Sequence, residues 1–298
     1  MRFLLLGCAA ALGCTATEHP PTTWPEDGCD AAGSAQERSQ RWSGALVMDD
    51  GVALAVTMRE PRGGCSGAVV IIPGGLQSGL PLLETDQSDA LVDAGLTVVA
   101  FDPRGRGDSE GAEDANGPTG QDDLAALTRW VAARERVDPD AVVLFSRSFG
   151  AAMAAGALSR HDDLAVLAWL DYEGPGWLEE DLAYAVGIGP DALRAYAEQV
   201  DDTAAWWDAR EPAGLIGGVT VPYWRFQGLP DHALGGRIAH TFACIDSAAA
   251  VPEVTYNGRP LSLPTTTEKL TTGAVDGGLE PDDSLLTSAL LRLLSGAD

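Results

Sequence analysis

Residues 141–157, AVVLFSRSFGAAMAAGA, pass from β-branched and apolar residues through a serine-bearing turn into a run of Ala and Gly. Up to Phe145 the composition is that of a buried strand, apolar on both faces. From Gly150 onward nearly every residue is small, which lets a helix lie close against the sheet it has just left. Between them stands Ser146-Arg147-Ser148-Phe149-Gly150. The stretch therefore predicts a strand, a tight turn and a close-packed helix with Ser148 at the apex. A serine raised on such a turn acts as a nucleophile only if a base reaches it.

Outward from this point the chain alternates between the two periodicities. ALVMDDGVALAVTMREP (45–61) reads as two strands around Asp49-Asp50-Gly51, a hairpin signal. GAVVIIPGG (67–75) is a short apolar run that stops at glycines, DALVDAG (89–95) is a helix closed by Gly95, and LTVVAFD (96–102) is the next strand. Gln121 to Arg134 carries Leu124, Leu127 and Val131 at helical spacing, with Trp130 beside them. LAVLAWLD (164–171), VPYWRFQG (221–228) and EVTYN (253–257) are further strands, and helices fall near 235–249 and 282–294. Strands alternating with helices imply an α/β fold, a mostly parallel sheet with helices on both faces. Residues 174–218 are helical and interrupt the rhythm as a small cap between two strands; residues 44–298 then form one domain.

The chain has 298 residues, is 45% hydrophobic and carries a formal charge of −25. An acidic balance of that size gives no footprint for nucleic acid, whose binders are basic, and reads as a solvated surface. At the start, MRFLLLGCAAALGCTATEHP has one charge, Arg2, before an apolar run from Phe3 to Leu12, too short to cross a bilayer. Ala11-Leu12-Gly13-Cys14 resembles a bacterial lipoprotein lipobox, so residues 1–14 are expected to be a signal peptide with Cys14 lipidated. Leu5-Leu6-Gly7-Cys8 matches the tetrapeptide better but leaves almost no apolar run before it; a plain secretion signal is the alternative. Residues 15–43, rich in Pro, Thr, Ser and charge, read as a tether. The expected location is the cell envelope, with the membrane reached through the N-terminal lipid anchor. Export favours disulfides, and Cys29 and Cys65 are the pair close in sequence. Closing that loop would stabilise the fold by about 3–4 kcal/mol. Cys244 then reads as a buried small hydrophobe.

Three stretches together resemble the α/β-hydrolase superfamily. Ser146-x-Ser148-x-Gly150 is a variant of the G-x-S-x-G nucleophile elbow, with Ser146 in place of the first glycine. Asp102-Pro103-Arg104-Gly105-Arg106-Gly107-Asp108-Ser109 matches the D-x-R-G-x-G-x-S loop of many members and is expected to be structural, its side chains bonding the loop's own backbone. Pro73-Gly74-Gly75-Leu76 stands where the superfamily has its oxyanion loop, so N–H groups of Gly75, Leu76 and Phe149 would face a developing oxyanion. The resemblance spans roughly residues 45–295 in element order, and DDGVALAVTMREP and RGRGDSEG look closest to its peptidase-like and acyl-hydrolase members. It implies nucleophilic acyl transfer from an ester or amide of a small molecule or peptide, with no cofactor.

The superfamily's order is nucleophile, acid, histidine, with the histidine after the last strand. Here that region, NGRPLSLPTTTEKLTTGAVDGG, contains none. Of the chain's 4 histidines, His19 is in the tether, His161 follows the elbow helix at the far end of the sheet, and His240 sits inside a helix. His232 is left as the base, with Ser148 as nucleophile. Asp231, in Gly228-Leu229-Pro230-Asp231, fits the usual acid position. Asp171 and Glu173, in LDYEGP, fit the position of a second variant; Asp171 or Asp231 is expected to orient the imidazole. Without a positioned base the chain would be a degenerate member with a binding role. His and Cys show no metal-ligand spacing, and no phosphate loop is present. Trp177, Tyr184, Tyr196, Trp206 and Trp207 of the cap either line a pocket or pack the cap onto the sheet.

Overall fold

The computed structural model describes residues 39–63, 65–185, 188–276 and 283–295. Cys8, Cys14, His19 and Cys29, and with them the lipobox and most of the tether, lie outside the described residues. Strands β1 (Ser39–Val47) and β2 (Ala53–Pro61) pair antiparallel around Asp49-Asp50-Gly51. Gly51 sits at φ +86°, a left-handed value that glycine adopts without steric cost. The first strand starts inside the stretch expected to be tether. β2 runs on to Pro61 and offers a pairing edge there, so Ser39 to Ser43 are laddered, and Trp42 packs its ring 5.2 Å from that of Trp130.

β2 pairs antiparallel with β4 (Thr97–Phe101), which follows β3 (Ser66–Ile72) in the chain. The sheet then continues through β5 (Val137–Arg147), β6 (Ala168–Tyr172), β7 (Tyr223–Phe226) and, after a short β8 (Gly228–Leu229), β9 (Val254–Tyr256) and β10 (Arg259–Pro260). Its order is β1-β2-β4-β3-β5-β6-β7-β9-β10, parallel from β4 to β9. A separate two-stranded piece joins β8 to β11 (Val275–Asp276).

Both faces of the parallel strands are buried, which is why they read as continuous apolar runs. Val70, Ile72, Leu144 and Trp169 point to one face, against helices α2 (Pro118–Ala132) and α3 (Gly150–Arg160). Val69, Ile71, Phe145, Leu170 and Phe226 point to the other, against α1 (Asp86–Asp93) and the last helix, Asp283–Ser295. The small residues of α3 have a steric cause. A Cβ on Gly150 would lie 2.7 Å from the Pro73 carbonyl oxygen, and one on Gly156 would lie 2.0 Å from Gln121 Cδ.

Between β6 and β7 the chain forms helices α4 (Leu178–Leu182), α5 (Ile188–Ala197), α6 (Thr203–Asp208) and α7 (Pro212–Leu215). Leu178, Leu182, Leu193 and Trp207 pack with Phe149 and Ala152 of the elbow. Arg210 ties this cap to the body: Nη2 donates to the Asp114 carbonyl at 2.6 Å, and the guanidinium lies 4.0 Å from the Trp206 ring centroid. Trp206, Trp207 and Tyr196 thus serve packing, whereas Trp177 and Tyr184 are exposed. Among the described residues, no helix is long and apolar enough to cross a membrane.

The expected Cys29–Cys65 bridge is corrected on the side that is described. Cys65 is a free, exposed thiol whose Sγ donates to the Glu135 carbonyl at 3.8 Å. Cys244 is buried, and burial pushes its thiol up to about 12.

Candidate active site

Ser148 leaves β5 and enters α3 with φ +49°, a left-handed conformation that costs a non-glycine residue about 1–3 kcal/mol. The surrounding structure imposes it: Ser148 N–H donates to the Tyr172 carbonyl at 2.7 Å, and the Ser148 carbonyl accepts from Ala151 N–H at 3.0 Å. Gly74 closes in from the end of β3, where a Cβ would lie 3.0 Å from the Arg147 carbonyl oxygen and 3.1 Å from Ser148 Cβ. Ser146, in the place of the elbow's first glycine, is fully buried and accepts from Trp169 Nε1 at 2.8 Å.

His232 Nε2 lies 2.8 Å from Ser148 Oγ, and His232 Nδ1 lies 2.6 Å from Glu173 Oε2. Both distances are hydrogen bonds, so the Ser148 hydroxyl, the imidazole and the carboxylate form one line. Glu173 follows β6 at φ +50°, a turn that carries its side chain from the strand end toward the loop after β8. Its buried carboxylate also accepts from Gly228 N–H at 2.8 Å and from His232 N–H at 3.3 Å. Burial pulls the His232 imidazole down. The hydrogen bond to Glu173 and the charges of Asp231 and Glu173 outweigh it, leaving His232 above its ordinary value.

Neither expected acid partner occupies that position. Asp171 Oδ2 accepts from Arg225 Nη1 at 2.6 Å and from Tyr223 OH at 2.8 Å, with Asp171 and Arg225 side chains fully buried. The cause is register, because Asp171 faces Arg225 directly across β6 and β7 and a buried guanidinium requires a carboxylate. Asp231 is next to His232 in the chain but points away from it. Its Oδ1 accepts from Ala233 and Leu234 N–H, each at 2.7 Å, and its Oδ2 lies 3.3 Å from His240 Nε2. Asp231 Oδ1 is 3.9 Å from His232 Nδ1, too far for a hydrogen bond. Burial pushes the Asp231 carboxyl up, but hydrogen bonding to His240 and Gln227 and the charge of His240 hold it well below the usual carboxylate range. His161 is far from this array, bonded to Asp122 at 2.8 Å.

The Arg-Gly loop supports the same site. Asp102 accepts from Gly79 N–H at 2.8 Å and Asp108 N–H at 2.9 Å, so part of it does bond its own loop. The arginines instead reach carboxylates: Arg104 to Asp123 at 2.7 and 2.8 Å, and Arg106 to Glu113 at 2.8 Å. Arg106 also donates to the Gly75 carbonyl at 3.2 Å and to Asn116 Oδ1 at 2.7 Å, and Asn116 Nδ2 donates to the Phe149 carbonyl at 2.8 Å. The segments carrying Gly75 and Phe149 are thereby tied to one buried arginine. Leu76 packs its side chain among the cap's apolar cluster.

A cavity of about 580 Å³ opens over Ser148 and His232. Gly74, Gly75 and Phe149 form its floor, and Leu178, Leu182 and Leu193 of the cap form its apolar wall. Glu173, Asp231 and His232 also bring ligand-type atoms within 4.8 Å of one another, a grouping able to hold a metal ion that no His or Cys spacing announced. The 2.6 Å contact between His232 Nδ1 and Glu173 already uses that nitrogen in a hydrogen bond.

Comparison with known proteins agrees with this architecture. Residues 67–168 match the family model described as alpha/beta hydrolase fold. Two curated uncharacterized proteins of Mycobacterium tuberculosis are 32% identical over 107 residues, 36% of this chain and 37% of theirs. The match thus spans little more than a third of those relatives. Among solved structures, 2,6-dihydroxy-pseudo-oxynicotine hydrolase is similar with TM-score 0.63 and 17% identity, over 86% of this chain and 69% of that one. Acetyl xylan esterase 1 from Thermoanaerobacterium sp. JW/SL YS485 is similar with TM-score 0.62 and 17% identity, over 91% of this chain and 86% of that one. The likeness to both is one of fold.

Proposed function

The chain has the α/β-hydrolase fold, and we propose that it is a serine hydrolase cleaving an ester or amide of a small molecule or peptide. The observation that carries this reading is the line Ser148–His232–Glu173, with Ser148 Oγ 2.8 Å from His232 Nε2. In the forward step Ser148 Oγ bonds to the substrate carbonyl carbon as its proton passes to His232 Nε2. Glu173 stabilises the imidazolium that results and fixes the Nδ1–H tautomer. The carbonyl's electron pair moves to oxygen, where the backbone N–H of Phe149 and those of Gly75 and Leu76 are the donors. Collapse expels the alcohol or amine, which takes the proton from His232. Water then repeats the sequence on the acyl-enzyme and releases the acid.

The array draws its acid from the end of β6 and its base from the loop after β8, which accounts for a chain with no histidine beyond its last strand. Export and a lipid anchor on Cys14 belong to the same proposal, on the strength of the N-terminal apolar run and tetrapeptide. A fluorophosphonate tests the hydrolase directly. Covalent labelling mapped to Ser148, absent in Ser148→Ala, supports it. An unlabelled, folded protein would favour a binding role instead.

A further inference from the structure

His232 stands beside two carboxylates, and only Glu173 is hydrogen-bonded to its ring. Glu173, Asp231 and His232 bring ligand-type atoms within 4.8 Å of one another, and both carboxylates are buried. Buried carboxylates at that range repel, and the ordinary relief is to share a proton. A proton taken up between them, or one carboxylate swung aside, would spoil the Glu173–His232 hydrogen bond. The group that reaches both is the side-chain amide of Gln227.

Gln227 follows β7, is fully buried and does not line the cavity. Asn257 pins its backbone, accepting the Gln227 N–H at 2.8 Å and donating to the Gln227 carbonyl at 3.1 Å. Arg225, two residues back in β7, lies on the same side, with Nη2 2.8 Å from Gln227 Oε1. A guanidinium only donates, so the atom it meets is the amide's oxygen. That oxygen also accepts from Thr241 Oγ1 at 2.5 Å, and His240 Nε2 lies 3.0 Å from it. The NH2 group is thereby aimed the other way. Nε2 donates to Asp231 Oδ2 at 2.9 Å and to Glu173 Oε1 at 3.4 Å, with the Gly228 carbonyl at 3.1 Å. On each carboxylate the second oxygen is left to its own task. Glu173 Oε2 accepts from His232 Nδ1, and Asp231 Oδ1 accepts from Ala233 and Leu234 N–H.

We propose that Gln227 is a positioning residue for the Ser148–His232–Glu173 line. Its amide holds two carboxylates side by side, Glu173 on the His232 ring and Asp231 on the loop that carries His232. This rests on Ser148 being the nucleophile. The Asp171–Arg225 ion pair then has a second effect, because a fixed Arg225 sets which way the amide faces. Arg225, Asp231 and Glu173 do not depend on Gln227 alone. Arg225 also has Asp171 and the Gly174 carbonyl, Asp231 has Ala233 and Leu234 N–H, and Glu173 has Gly228 N–H. Removing the amide should therefore disturb the alignment more than the fold.

The test is a double-mutant cycle on turnover of a 4-nitrophenyl ester, using Gln227→Met, which keeps the side chain's length and removes its polar atoms. Gln227→Met should lower kcat about 10–100-fold, the scale of a hydrogen bond to a charged group. KM should stay the same, because Gln227 lies outside the cavity. In a Glu173→Gln background the same change should lower kcat by about threefold or less, since the carboxylate through which Gln227 acts is gone. An equal loss in both backgrounds, an unchanged kcat, or a loss expressed in KM would overturn the proposal. Should Gln227→Met not fold, Gln227→Glu keeps the side chain's shape and an oxygen for Arg225. Its other oxygen donates to Glu173 or Asp231 only while protonated, so kcat should be lower at every pH or fall as the pH rises. A kcat and pH profile matching the unaltered protein would count against the positioning role. If fluorophosphonate labels Ser148 and the cycle gives an adverse result, the role of Gln227 falls and the hydrolase stands. If Ser148 neither labels nor turns over any ester, both fall.

Discussion

Asp171 and Glu173 stand two residues apart at the end of one strand, and their carboxylates serve different partners. Asp171 neutralises Arg225 inside the sheet, and Glu173 accepts from His232 at the cavity. The left-handed turn at Glu173 separates them, lifting the second carboxylate out of the strand's alternation. The two acids should therefore fail in different ways when changed.

Glu173→Gln should lower kcat for a simple acyl ester by about 10³–10⁴-fold, the scale for losing a triad acid, with the fold retained. Asp171→Asn leaves the Arg225 guanidinium buried without its countercharge and should cost about 3–5 kcal/mol. Ester kinetics and urea unfolding on both variants separate the roles. Catalytic loss in Asp171→Asn with full stability would reverse the assignment.

The pH profile follows from His232. A general base works only when neutral, so the rate rises as the imidazole loses its proton. With His232 above its ordinary value of 6.5, the acidic limb of kcat/KM should have its midpoint above 6.5. Glu173→Gln removes the hydrogen bond and charge that outweigh burial, so its residual activity should titrate at lower pH. A limb unmoved by that change would mean His232 is not the titrating group.

The succession of main strands and helices along the chain, the hairpin and the elbow were legible in the sequence because they rest on local periodicity and on small residues where chains touch; the order of strands in the sheet was not. The histidine that meets Ser148 was reached by elimination, and its carboxylate partner was not. Asp171, Glu173 and Asp231 all occupy acceptable positions, and nothing local ranks them. A ranking signal was nonetheless present in Arg225: a charge inside the apolar strand VPYWRFQG must find a carboxylate, and Asp171 is opposite it in register. With Asp171 so engaged, Glu173 and Asp231 remained, and only the structure, in which Asp231 Oδ1 accepts from Ala233 and Leu234 N–H, separates them. The role of His240 beside Asp231 was hidden for another reason, since it depends on how a helix packs against a loop.

Metal removal tests the one grouping of ligand-type atoms found at this site among the described residues. With Glu173 and His232 joined by a hydrogen bond, hydrolysis should persist unchanged after dialysis against EDTA. Activity lost to EDTA and restored by a divalent cation would make Glu173, Asp231 and His232 a metal centre.

Anchoring depends on Cys14. If the tetrapeptide at 11–14 is the processing site, Cys14→Ser should move the protein from the membrane fraction to the soluble one on expression in a bacterium. Cys8→Ser should leave it bound. The opposite pattern would assign the lipid to Cys8, and no effect from either would leave a protein without a lipid anchor.

Ser146→Gly restores the glycine that the elbow pattern favours, and it should nevertheless weaken this protein. Ser146 Oγ accepts from Trp169 Nε1 at 2.8 Å, and both residues are fully buried. Glycine would strand the indole N–H in the core, at about 1–3 kcal/mol, and add backbone freedom in a strand at about 0.5–1 kcal/mol. No strain is relieved in exchange, because the close contacts at the elbow fall on Gly74 and Gly150. Turnover at moderate temperature should change little, since Ser148 keeps its bonds to Tyr172 and Ala151. The urea midpoint should drop while the slope of the transition stays the same. An unchanged or higher midpoint would show that the Ser146–Trp169 hydrogen bond contributes nothing, and that serine at this position is a tolerated replacement rather than a stabilising one.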